Sequence, residues 1–201
     1  VLTDPLNGQR FPNSVIPASR LDALSQKALA YVPLPNASAQ GLNYERLGSD
    51  RVDQNQFSIR ADHRFSTRDS IFGRFYYSNL NEHADGFFNT PAVGNASSTV
   101  GSDQGERVRN SGFSHTHSFS PGTLNELRLG HNWKRYTRLS LSGGQDWASE
   151  LGVRGPTTNP RDWRFPLFNI TGWTTYGAGT GGHVNRIAEN FQLSDTLSLV
   201  P

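Results

Sequence analysis

From Gln56 to Phe65 the chain alternates between apolar and polar residues at every step. Phe57, Ile59, Ala61, His63 and Phe65 fall on one side of an extended chain, and Ser58, Arg60, Asp62 and Arg64 on the other, because successive strand side chains point to opposite faces. The short polar turn Ser66-Thr67-Arg68-Asp69 follows, then a returning strand with Ile71, Gly73, Phe75 and Tyr77 on one face and Phe72, Arg74 and Tyr76 on the other. This predicts a hairpin over 56–78. A second hairpin is expected over 108–136, turning at Ser120-Pro121-Gly122-Thr123. Its return strand places Leu127, Leu129, His131 and Trp133 opposite Glu126, Arg128 and Lys134. A further strand begins near Asn185, with a turn expected at 194–196.

The segments between these hairpins have no such period. Residues 1–50 are rich in Pro, Gly and Asn, with one short helix predicted over about 20–31, capped by Ser19 and stopped by Pro33 and Pro35. Two long loops are expected over 79–106 and 138–182. The second carries Trp147, Trp163, Phe165, Trp173 and Tyr176 among many Gly and Asn residues, and ends in the glycine run 177–182. Loops of such length are functional or disordered as a rule, and this aromatic content argues against disorder. Mutual packing into a small cap is the favoured reading of the loop aromatics, and the five named are the candidate ligand contacts if the loops instead offer a binding surface.

Short turns at one end and long loops at the other suit the wall of an outer-membrane β-barrel. The expected fold is therefore all-β: about five strands of a large antiparallel transmembrane barrel over 51–201, with long extracellular loops. Periodicity alone leaves a soluble β-sandwich open as well. In the barrel reading Phe57, Ile59, Phe75, Leu127 and Leu129 face lipid; in the soluble reading they enter a protein core. The charged face, with Arg60, Asp62, Arg64, Arg74, Glu126, Arg128 and Lys134, would line the lumen.

Composition narrows the function classes. No apolar run approaches the length of a membrane helix, and a mean hydropathy of −0.58 does not exclude a barrel, whose strands alternate. The net charge is +2, from 19 basic and 17 acidic residues that interleave along the chain, so no nucleic-acid footprint stands out. The absence of cysteine removes disulfides and thiolate chemistry. His115 and His117 share a strand face but have no third ligand at a suitable spacing, so no metal site and no cofactor are expected. The carboxylates are not grouped around a substrate position, and no catalytic residue is assigned. Val1 and Pro201 are read as the ends of a fragment.

Three stretches carry a resemblance: DPLNGQRFPNSVIPASRLDALSQKALAYVPLPN, GSDRVDQNQFSIRADHRFSTRDSIFGRFYYSN and HTHSFSPGTLNELRLGHNWKR. In this order and spacing the chain resembles the Oar-like TonB-dependent receptors of bacterial outer membranes, large proteins with a carboxypeptidase-regulatory-like domain. The resemblance implies a bacterial outer-membrane protein with a plug domain inside a monomeric barrel of about 22 strands, energised by the TonB system. The expected partners are outer-membrane lipid, the plug and TonB, and a large solute. Members of that family are also linked to surface adhesion and export, so an adhesion or surface-assembly role is the alternative, followed by a soluble carbohydrate-binding β-domain.

Overall fold

The computed structural model describes residues 2–38, 43–93, 101–155, 157–178 and 183–200. Five strands, β1 (Asp50–Arg64), β2 (Asp69–Ala84), β3 (Ser102–Ser120), β4 (Thr123–Ser140) and β5 (Val184–Leu199), form one sheet in chain order. Every neighbouring pair is antiparallel.

The strands outrun their period-two signals. β1 starts at Asp50 and β3 at Ser102, although Asp50–Asn55 has Val52 as its one apolar residue and Ser102–Arg107 has none, so neither stretch carries an alternation. The ladder extends them anyway, since each added residue satisfies backbone N–H and C=O groups. The turn expected at 194–196 is absent. β5 continues through it, pairing Ser194, Asp195 and Thr196 with Arg128, Leu127 and Glu126. Asn125 Nδ2 donates to Asp195 Oδ1 at 2.6 Å. The continuous edge of β4 outweighs the local turn preference of Ser-Asp-Thr.

The other two turns form where expected. Ser66 Oγ accepts from the N–H groups of Arg68 and Asp69, both at 3.0 Å, and donates to Asp69 Oδ2 at 3.0 Å. The second hairpin closes with a bulge between Ser118 and Ser120.

Directly opposed residues share a sheet face, so the register carries each face across all five strands. One row reads Ala61, Gly73, Phe113, Leu129 and Leu193; the next reads Ile59, Phe75, Ser111, His131 and Phe191. No described helix covers this face: among the described residues the only element contacts beyond neighbouring strands join the two short α-helices to each other. Ile59 is 60% exposed and Phe191 75%. Among the described residues β1 and β5 are each paired on one side.

The pre-β1 segment and the two long loops converge at one end of the sheet. They hold two short α-helices where one was expected: α1 (Ala23–Leu29) and α2 (Trp147–Leu151). Asp22, not Ser19, caps α1, accepting from Ser25 N at 2.8 Å. Asp146 caps α2, and Gly152 ends it at φ 88°, the left-handed conformation that glycine adopts without strain. Ala28, Phe88, Ala92, Trp147, Leu151, Phe165 and Tyr176 form a buried core between these segments. Residues 179–182 of the glycine run and 94–100 of the first loop lie outside the described residues.

Candidate functional site

The seven charged residues expected on the lumenal side share one face of the sheet. Arg60 and Arg74 oppose each other across β1 and β2, a like-charge pairing that needs relief. Arg60 binds Asp62 through two hydrogen bonds of 2.8 and 2.7 Å and stacks 4.7 Å over the Phe72 ring. Arg74 turns away over Gly112, where a Cβ would lie 3.3 Å from its Cγ and Nε. Arg128 donates from Nε and Nη2 to the two carboxylate oxygens of Glu126, both at 2.7 Å, and Ser114 Oγ donates to the same carboxylate at 3.1 Å. Lys134 pairs with Glu106 at 2.8 Å. Arg64 and Arg74 have no carboxylate partner among the described residues. Exposed pairs of this kind are screened by solvent and contribute little to stability, so they order the surface more than they stabilise it.

On the opposite face, His117 Nδ1 and His115 Nε2 lie 2.6 and 3.3 Å from Asp69 Oδ1. One carboxylate oxygen occupies both rings. Among the described residues no group of three or more His, Asp or Glu side chains could hold a metal ion.

The five loop aromatics separate into two sets. Trp147 (8% exposed), Phe165 (0%) and Tyr176 (6%) belong to the cap core. Phe165 meets Tyr31 edge-on at 5.4 Å and Trp147 at 5.7 Å, while Tyr176 stacks on Phe168 at 5.0 Å. Burial pushes the Tyr176 phenol up from its ordinary pKa. Trp163 is half-buried, its Nε1 donating to Thr157 O at 3.1 Å, and Trp173 is 75% exposed. A hollow of about 350 Å³ opens beside this core, lined by Asp85, Phe88, Asn89, Thr90, Leu141 and Trp147.

Sequence reasoning missed the joint between cap and sheet. At the loop end of β2, well beyond the apolar band that closes at Tyr77, Asp85 Oδ2 accepts from Arg46 Nη2 and Ser49 N, both at 2.9 Å. His83 bridges Asp103 (2.7 Å) and Asp85 (3.3 Å). The hydrogen bonds to Asp103 and then Asp85 raise the His83 pKa, and the Ser49 N–H, followed by His83 and Arg46, lowers that of Asp85. The only sequence cue was the spacing of His83 and Asp85, two apart and thus on one face.

A protein-family model described as an outer membrane beta barrel domain matches residues 1–201. No curated protein and no solved structure matches the chain.

Proposed function

We propose, from the premise that this chain belongs to the outer membrane beta barrel domain family, that it forms wall and external loops of a bacterial TonB-dependent receptor that takes up a large solute. Family membership gives the outer-membrane setting. The observation that carries the finer reading is the uncovered apolar face running across five registered strands, backed by a charged face and crowned by an aromatic cap. A soluble sandwich needs a second layer over Phe57, Ile59 and Leu129, and no described residue supplies one. Lipid is the solvent that such a face suits.

In this reading the cap captures solute outside, with Trp173 and the open side of Trp163 as the stacking surfaces. Trp147, Phe165 and Tyr176 hold the loops in shape. Arg64 and Arg74, without carboxylate partners of their own, face the plug or the passing solute. The plug and the TonB coupling rest on the resemblance of the three sequence stretches. Adhesion is the second reading, favoured by the apolar groups the cap exposes: Trp173, Leu34 (85%) and Leu47 (98%).

The test is accumulation of labelled oligosaccharides, peptides and metal chelates by cells producing the intact protein, with and without a protonophore. One class should accumulate, and the protonophore should abolish it. Trp173→Ala should lower uptake about tenfold, as loss of an aromatic hot spot does, with stability unchanged to within about 0.5 kcal/mol. Surface retention without accumulation would replace import with adhesion.

A further inference from the structure

The outward face carries a polar feature that solute uptake does not use. Where β2, β3 and β4 leave the apolar band, their register gives three successive rows: Tyr77–Arg109–Trp133, then Asn79–Arg107–Arg135, then Asn81–Gly105–Thr137. Arg109 lies over the Trp133 ring, 5.0 Å from its centroid, so the first row has the make-up of an interfacial girdle. Arg107 and Arg135 oppose each other directly. Like charges in that relation destabilise a sheet, and no described carboxylate offsets them. Each is steered by an amide instead: Arg107 Nε donates to Asn79 Oδ1 at 3.0 Å and Arg135 Nε to Asn185 Oδ1 at 3.1 Å. Their remaining N–H groups stay available.

Beside them lies a hollow of about 200 Å³, lined by Asn79, Asn81, Gly105, Glu106, Arg107, Arg135 and Thr137; Glu106 alternates to the opposite face of β3, where its carboxylate pairs with Lys134 at 2.8 Å. Its floor is bare because residue 105 has no side chain. A Cβ there would come within 2.8 Å of Thr137 Oγ1 and 3.9 Å of Asn81 Oδ1, filling the space. Two strand residues rise about 6.6 Å, so the arginine row stands one headgroup layer beyond the girdle; that layer is about 5–7 Å thick.

We propose that the Gly105 hollow, rimmed by Arg107 and Arg135, binds the phosphate of a glycolipid headgroup in the outer leaflet. The inference rests on the reading of this sheet as barrel wall with its loop end outside. Guanidinium groups suit phosphate because their N–H groups form paired, charge-assisted hydrogen bonds. The position against the apolar band selects a lipid-borne phosphate over a dissolved one.

The experiment uses the intact protein, purified in detergent and stripped of lipid, with retention of bis-phosphorylated lipid A read by native mass spectrometry. Dephosphorylated lipid A and inorganic phosphate are the comparison ligands. Wild-type protein should hold the phosphorylated lipid at least about tenfold more tightly than the dephosphorylated one, the scale of a charge-assisted hydrogen bond. The double variant Arg107→Gln, Arg135→Gln should lose that preference. So should Gly105→Val, which fills the floor and keeps every charge. Arg51→Gln, on the same face but paired with Asp53 at 3.1 Å, should bind as wild type. Heat-modifiable migration certifies folding of each variant. Equal retention by the double variant, or equal binding of dephosphorylated lipid, overturns the proposal. Displacement by equimolar inorganic phosphate overturns the lipid source. Labelling of Trp173→Cys on intact cells tests the orientation separately: an unlabelled loop end sinks the membrane reading whatever the lipid data.

Discussion

In the wall, backbone ladders join the strands while side chains on both faces stay largely open; in the cap, few backbone hydrogen bonds cross between segments and a buried aromatic core holds them together. The wall depends on its surroundings, because its apolar face is buried only when something outside the described residues covers it. The cap carries its own core. Full burial of a large apolar side chain contributes about 1.5–3 kcal/mol, and the cap concentrates such burial in Phe165 and Leu151. The two parts should therefore fail independently.

The largest effect is expected from Phe165→Ala. Deleting a buried ring costs about 3–5 kcal/mol, and limited proteolysis should cut the loops quickly while heat-modifiable migration persists. Loss of both together would make wall and cap one cooperative unit. Leu129→Arg is the reverse case. A cation on the lipid face near the bilayer centre costs about 2–4 kcal/mol, so assembly in the outer membrane should drop. Normal assembly of that variant would remove the lipid-facing assignment.

The smallest effect lies at the joint. His83 has a pKa raised above its ordinary 6.5, so its contribution is full below 6.5 and fades as pH climbs through the raised value. Asp85 has a pKa lowered below 3.8, so its contribution is full above 3.8 and fades as pH falls through the lowered value. Cap protection in hydrogen exchange should thus be greatest between these limits and weaken on the alkaline side. His83→Gln should flatten the alkaline limb; an unaltered limb would exclude His83 as its source.

The wall was legible because alternation leaves a trace in every second residue. Its faces were readable from Phe57 to Arg64 and from Leu127 to Lys134 without coordinates, and the register aligns them. The trace vanishes where apolar residues are too sparse to alternate, which hid the first residues of β1 and β3. Ser194-Asp195-Thr196 misled because turn chemistry is local while the competing ladder on β4 is not. The cap was legible only as an excess of aromatics. Which of Trp147, Trp163, Phe165, Trp173 and Tyr176 point inward depends on segments far apart in sequence, and no periodicity records that. Capping of α2 could have been read, since Asp146 precedes it and Gly152 follows.

The hydrogen bond from Lys27 Nζ to Glu150 O joins residues 123 positions apart. Contacts of such separation form slowly unless other structure first brings their ends together, and here the intervening β1–β4 hairpins do so. The order of events follows: strands register, loops are delivered to one end, and the aromatic core then condenses. In a refolding time course, loop resistance to protease should lag behind heat-modifiable migration. Simultaneous appearance would mean that the loops guide the strands instead. The cap is in this sense a timer, its completion marking a wall already built beneath it.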